Sequence, residues 1–265
     1  ERIKEQFIRR MKKDGCSLKT GFVGTPFLLE ALSMCGREDM AYQILLDEGF
    51  PSWLYPVKMG ATTMWERWDA LNPDGSMSSS GMNSLNHYAY GSVGDWMYRK
   101  VAGLSQLEPG YKRFQVKPMF VKGIEEWGTE FESVYGKIVA NTSCKDGKIH
   151  VHVEVPANTT AVIVLPEKEE VHEVGSGVYD YEYATETSLA VERFSMDSTL
   201  GEIVAEPLAV EMFNQMVPGM LEGPMIQFAY GMTLAELLGA APEARPMYEA
   251  VVNALNQKER EKEND

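Results

Sequence analysis

The sequence has 265 residues, enough for one large domain or two to three ordinary ones, and its apolar share of 44% suits a chain that buries a core. Lysine and arginine number 25 against 39 acidic residues, a formal charge of −14 with no basic stripe beyond a short run near each end, which argues against nucleic acid as a partner. Cys16, Cys35 and Cys144 lie far apart without CxxC or Cys/His spacing, and neither a membrane-spanning apolar run nor a signal peptide is visible, so a disulfide framework, a structural zinc site and a membrane association are not expected.

Free thiols point to a reducing compartment such as the cytoplasm, and the location is otherwise left open. The chain begins Glu1-Arg2-Ile3 already in a helical pattern, as if continuing from an earlier segment. Residues 2–13 set Ile3, Phe7, Ile8 and Met11 on one face and predict an amphipathic helix ending near Asp14-Gly15. A second helix is expected from Thr25, as N-cap, through Pro26 to Gly36, and a third over about 38–48. Residues 49–60 read as a loop. A fourth helix over about 63–70 follows, then a long Ser, Gly and Asn-rich connection over 71–91, and a fifth helix from about Ser92 to Val101.

After Gly103 the hydrophobic period changes from 3.6 to 2. Residues 113–117, 136–140, 148–155 and 160–165 read as strands, with turns at Lys145-Asp146-Gly147 and Pro156-Ala157-Asn158, and predict an antiparallel sandwich. His150 and His152 share a strand face at i, i+2, but no third ligand is evident nearby, so solvent-facing strand residues are the expectation and no metal or cofactor is expected. From Ser198 helices return, with start signals at Thr199-Leu200-Gly201-Glu202, Thr233-Leu234-Ala235-Glu236 and Pro242-Glu243-Ala244 and breaks at Pro218-Gly219 and Gly223-Pro224. Methionines 212, 216, 220, 225, 232 and 247 fit a small helical core better than a flexible binding surface, and residues 257–265 form a charged, solvated end. The expected domains are 1–105, 106–191 and 192–265.

Two segments carry chemistry. Gly60-Ala61-Thr62-Thr63-Met64-Trp65-Glu66-Arg67-Trp68-Asp69 sets a carboxylate between indoles with a guanidinium beside it, and Met82-Asn83-Ser84-Leu85-Asn86-His87-Tyr88-Ala89-Tyr90-Gly91 is a second polar and aromatic cluster. Aromatic faces cover the C–H faces of a pyranose while acids and bases handle its hydroxyls and glycosidic oxygen. The plainer reading of Thr63-Met64-Trp65-Glu66 is a capping box at a helix start, and that role is compatible with a general base.

The run Thr20-Gly21-Phe22-Val23-Gly24-Thr25-Pro26, the stretch from Tyr55 to Trp68, and the stretch from Met82 to Trp96 resemble α-L-rhamnosidases of glycoside hydrolase family 78. Gly110-Tyr111-Lys112-Arg113-Phe114 and Gly175-Ser176-Gly177-Val178-Tyr179 resemble the sandwich that follows the catalytic barrel in that family, so the resemblance covers about residues 1–190. The last seventy or so residues resemble a small helical module appended to some bacterial glycosidases. The fold implied is multidomain α and β: the closing helices of an (α/α)6 barrel, an antiparallel β-sandwich and a small C-terminal helical module.

The resemblance also implies inverting hydrolysis of terminal α-L-rhamnosides, with a rhamnose-containing glycoside as partner. Glu66 corresponds to the family's general base, and His87 to a histidine that contacts rhamnose; Trp65, Trp68 and Tyr88 are expected subsite walls. The family's general acid lies in an earlier segment that nothing before residue 60 supplies. The chain is therefore expected to need a missing N-terminal part and to be inactive alone, with Asp69 and Asp95 the substitutes to test if it is active. An incomplete ring would leave apolar helix faces uncovered, which predicts altered helix packing or self-association. The competing reading is a carbohydrate-binding or structural fragment, for which Trp127 and Tyr135 are the nearest candidates for an aromatic platform.

Overall fold

A computed structural model describes residues 1–79, 83–120, 123–187, 193–223 and 226–263, in two compact units, Glu1–Leu189 and Ala190–Asp265. The expected edge between residues 191 and 192 lies outside the described residues, as do Met82 of the second motif, Pro224 of an expected break and Met225.

The first unit opens with α1 (Arg2–Lys13), α2 (Thr25–Met34) and α3 (Glu38–Leu45). Thr25 does not act as the cap of α2: it is the first helical residue, buried, with its hydroxyl donating to the Gly21 carbonyl at 2.9 Å, while Pro26 takes the first turn, where a missing N–H costs nothing. The segment read as a loop over 49–60 contains a short helix, α4 (Leu54–Lys58), for which Ser52 Oγ accepts the Tyr55 N–H at 2.9 Å. The expected helix over 63–70 is absent. A 3-10 turn (Ala89–Ser92), α5 (Val93–Trp96) and a π turn (Met97–Val101) form one continuous coil, and Trp96 ties it back by donating to Ser33 Oγ at 3.0 Å and meeting Tyr42 edge-on at 5.5 Å. Ile3, Phe27 and Met34 on these helices stay exposed.

Gly103 turns the chain from helix into sheet. Its φ of +77° belongs to glycine, and a Cβ there would lie 2.1 Å from the Lys117 carbonyl carbon, so the Gly103 to Lys117 approach tolerates no side chain. Among the described residues, eight strands follow in two four-stranded sheets. The order β1-β2-β6-β7 joins β1 (Leu104–Gln106), β2 (Arg113–Val116), β6 (Thr160–Val164) and β7 (Val171–Val174). The order β3-β4-β5-β8 joins β3 (Glu126–Ser133), β4 (Gly136–Lys145), β5 (Lys148–Val155) and β8 (Gly177–Ala184). All pairings are antiparallel except β2 with β6, which is parallel. Phe114, Val116, Ala161 and Ile163 of one sheet and Ile138, Ile149, Val151 and Val153 of the other meet in one core, which continues into Leu29, Leu32, Ile44 and Trp96 of the helices. Trp127 belongs to this core and so offers no exposed platform.

The second unit is helical: α6 (Leu200–Val204), α7 (Pro207–Met216), α8 (Ile226–Ala229), α9 (Leu234–Leu237) and α10 (Arg245–Glu263). Thr199 with Glu202 and Thr233 with Glu236 form the two expected capping boxes, and the two caps lie side by side in a short antiparallel bridge. Met212, Met220 and Met247 pack against the core of Leu200, Ile203, Phe213, Tyr248 and Val251, whereas Met216 and Met232 are exposed. Buried Asn256 of α10 closes the unit by a two-way bond to the Phe194 backbone, at 2.9 and 2.8 Å.

On the open face of the second sheet, His150 Nε2 and His152 Nδ1 lie 3.1 and 2.8 Å from the same oxygen of Asp180, across adjacent strands. The hydrogen bond to Asp180 is the main cause that raises the His152 pKa above 6.5, and the same bond holds Asp180 below 3.8. Because the folded value of His152 is the higher one, its contribution to stability is full below its unfolded value and fades as pH rises through the folded value; that of Asp180 fades as pH falls through its own. We therefore expect His152 to titrate above 6.5 by NMR and to return toward that value in Asp180→Asn. The stability difference between the two proteins should be largest between these two values and shrink on either side.

In a second test, Gly103→Ala should lower stability by at least about 2 kcal/mol through left-handed strain and the forced shift of residues 117–118. Tryptophan fluorescence reads this directly, since all five tryptophans lie in the first unit.

A half-buried glutamate beside an aromatic histidine loop

The absence of a helix over 63–70 follows from where its donors go. The Glu66 N–H donates to the Ser84 carbonyl at 2.9 Å, the His87 N–H donates to the Met64 carbonyl at 2.8 Å, and the Thr63 hydroxyl donates to the Leu85 carbonyl. Asn83 Nδ2 adds a bond to the Ala70 carbonyl at 2.9 Å. Cross-chain partners thus replace the i to i−4 ladder that local propensity favours, and the two motif segments are zipped together. Glu66 and His87, 21 positions apart in sequence, become neighbouring rungs.

The capping-box reading of Glu66 is therefore overturned. Thr63 spends its hydroxyl on Leu85, no helix start is present, and the half-buried Glu66 carboxylate has no hydrogen bond or ion pair among the described residues. Its neighbour Arg67 binds Asp69 bidentately, Nε to Oδ1 at 2.9 Å and Nη2 to Oδ2 at 3.0 Å. That fork is the main cause holding the Asp69 carboxyl below the usual carboxylate range, which suits a fixed anion and not a proton donor.

The two tryptophans of the motif have roles other than the expected ones. Trp65 and Trp68 are only 3% and 9% exposed, so neither offers an open wall. Trp68 stacks on Tyr90 at 3.7 Å and 12° and meets Trp53 edge-on at 5.4 Å, while Trp53 Nε1 donates to the Tyr90 carbonyl at 3.0 Å. This layer holds the loop bearing His87 against the segment bearing Glu66. Burial pushes the Tyr90 phenol up, with Asp69 and Glu66 adding to the rise and Arg67 opposing it, so the ring lies within the field of all three charges.

The rim is different. Tyr88 is 84% exposed and stacks on His87 at 5.0 Å and 17°, and the half-exposed Phe22 ring lies 6.0 Å from the His87 ring at 46°. His87 Nδ1 accepts the Ala89 N–H at 3.3 Å, which in the neutral imidazole puts the proton on Nε2 and leaves it a donor. The sequence reading missed Phe22 and Trp53 as members of this cluster, and Tyr90 of the second motif as the partner stacked on Trp68. Phe22 stood within a quoted motif, but only the fold brings it to His87.

A helical segment ending in a π turn, joined through one core to a two-sheet sandwich, is the architecture of the end of a six-hairpin helical domain followed by a β-sandwich domain. Residues 1–101 match the bacterial alpha-L-rhamnosidase 6 hairpin glycosidase domain and residues 103–180 the bacterial alpha-L-rhamnosidase C-terminal domain. With both domains of one family in consecutive stretches, residues 1–180 belong to the bacterial α-L-rhamnosidase family.

An alpha-L-rhamnosidase of Formosa agariphila is 37% identical over 166 residues, covering 63% of this chain and 18% of that protein. One of Streptomyces avermitilis is 43% identical over 149 residues, covering 56% and 14%. The crystal structure of the Streptomyces avermitilis alpha-L-rhamnosidase complexed with L-rhamnose superposes with a TM-score of 0.64 at 36% identity, over 68% of this chain and 19% of that one. That of the native Aspergillus terreus enzyme gives 0.65 at 39% identity, over 68% and 21%. The chain thus spans about a fifth or less of the length of these relatives.

The division between layer and rim is testable by substitution. Trp68→Ala should cost about 3–5 kcal/mol, since it empties a stacked and buried site, whereas Tyr88→Ala should change stability by less than about 0.5 kcal/mol. Chemical denaturation followed by tryptophan fluorescence distinguishes the two.

Proposed function

We propose that these residues supply the general base and the sugar-contacting rim of an inverting glycosidase that removes terminal α-L-rhamnosyl groups, acting as the carboxy-terminal part of a longer protein. The observation that carries this reading is Glu66: a half-buried carboxylate, released from any helix cap or ion pair among the described residues, on the rung next to His87. A carboxylate that neither caps a helix nor pairs with a cation keeps its oxygens open to a water or a sugar hydroxyl. The named relatives support the substrate class, since each is an α-L-rhamnosidase and one of the crystal structures holds L-rhamnose.

In this mechanism Glu66 takes the proton of a water attacking the anomeric carbon, while an acid on the opposite face protonates the leaving oxygen. The two carboxyl groups of an inverting pair stand roughly 6.5–9.5 Å apart to admit that water. His87 donates from Nε2 to a sugar hydroxyl, and the rings of Tyr88 and Phe22 cover the apolar face of the sugar. Asp69 is held as a carboxylate by Arg67, and Asp95 binds Arg99 at 2.6 and 2.9 Å, so neither is placed to donate the proton. The acid belongs to a preceding part of the full-length protein, and residues 1–265 alone hydrolyse little or nothing.

Hydrolysis of p-nitrophenyl α-L-rhamnoside by the full-length protein tests this. Glu66→Gln keeps the shape and removes the base, and kcat should fall by roughly 10²–10⁴-fold with an unchanged melting curve. Activity retained within about tenfold would remove Glu66 from the base's role. Rapid hydrolysis by the isolated chain would sink the division of acid and base between its two parts.

A further inference from the structure

We propose that the cleft where the π turn after α5 meets the β-sandwich is a second binding site, one that takes a neutral pyranose sugar. The cavity measures about 330 Å3, within the range of small-molecule sites, and shares no residue with the Glu66–His87 cluster, so it does not depend on the reading of that cluster.

One side is aromatic. Tyr111 and Phe131 lie 4.6 Å apart at 44°, and Tyr98 meets Phe131 edge-on at 6.3 Å while remaining 46% exposed. A junction filled for packing alone would close over these rings, yet the cavity stays open above them. Tyr111 is held there by a left-handed backbone, φ +64°, directly after Gly110 at φ +71°. Such a conformation is unfavourable for any residue with a Cβ, so the ring's position is imposed by its surroundings.

The other side is polar, and its charge is already balanced. Arg99 Nε and Nη2 both bind Oδ2 of Asp95, which leaves Asp95 Oδ1 to accept from a hydroxyl, and Arg99 Nη2 also reaches Glu30 at 3.1 Å. Asp95 and Glu30 share the Arg99 guanidinium and Glu30 also meets the Lys100 ammonium at 3.3 Å, so two carboxylates balance two cations and no positive charge is left for a phosphate, a sulfate or a uronate. Ser105 and Gln106, consecutive residues of β1, line the cleft, and neither side chain has a hydrogen bond of its own among the described residues. Burial, with Asp95 and Tyr98 adding to it, pushes the Tyr111 phenol up and keeps it a donor.

An apolar face over rings, facing hydroxyl-compatible donors and acceptors with no net charge, is the complement of a pyranose: C–H groups on one side, hydroxyls around the edge. A cleft of this kind would hold a sugar of a branched glycoside without performing chemistry on it, since no carboxylate there is free of its arginine.

The test is an amide-shift titration of the isotopically labelled 265-residue chain with L-rhamnose, D-galactose and D-glucose in turn. At least one sugar should give saturable shifts at Ser105, Gln106 and Tyr111. The apparent affinity should fall about tenfold in Tyr98→Ala and in Asp95→Asn, both exposed positions whose variants should melt like wild type, and stay unchanged in Glu66→Gln. Absence of saturable shifts at these amides with all three sugars would overturn the proposal, as would shifts confined to residues 64–88 or equal affinity in both cleft variants.

Discussion

Two backbone hydrogen bonds, Glu66 N–H to Ser84 and His87 N–H to Met64, are the constraint on which the candidate site depends. Each is worth only about 1 kcal/mol net, but leaving the donors unmade in a half-buried segment would cost more than that. By committing these donors sideways, the chain gives up the helix that Thr63 and Glu66 are suited to start. The same act frees the glutamate side chain from capping and brings its segment alongside the one that carries the histidine. The stacked layer of Trp53, Trp68 and Tyr90 lies behind this pairing and makes it rigid.

That layer also explains why so many aromatic residues crowd one short region. Trp65 and Trp68 flank Glu66 in sequence and look like sugar platforms, but burying them is what fixes the backbone between them. The residues left open, Tyr88 and Phe22, are those reached from loops that the layer anchors. Buried support and open rim are thus divided between residues of the same chemical type.

The junction between helix and sandwich follows the same economy. Gly103 lets the helical coil turn into β1 against the backbone of residues 117–118, and Trp96 pins the coil to α2 and α3. The continuous core from Leu32 to Val153 makes helices and sheets one unit. The open cleft of Tyr98, Tyr111 and Phe131 is then a property of the junction and belongs to neither part alone.

The sequence by itself determined the elements whose signal is local. The amphipathic repeat of residues 2–13 and the two Thr-x-x-Glu caps at Thr199 and Thr233 form as their pattern dictates, because each is satisfied by neighbours within a few positions, and the alternation in 148–155 also forms, although its ladder partners lie in β4 and β8. It also marked Glu66 and His87 by residue type and motif.

The tertiary structure alone decided what depends on partners far along the chain. The loss of the 63–70 helix came from acceptors near residue 85, and the parallel pairing of β2 with β6 from strands 44 or more positions apart. Strands β3, β7 and β8 are only half-buried, so their apolar alternation is weak, and their place is set by register with β4, β5 and β6. Whether an indole supports or contacts, and whether a carboxylate caps, pairs or stays free, rests on burial and on competition for hydrogen bonds, and both exist only once the chain has closed on itself.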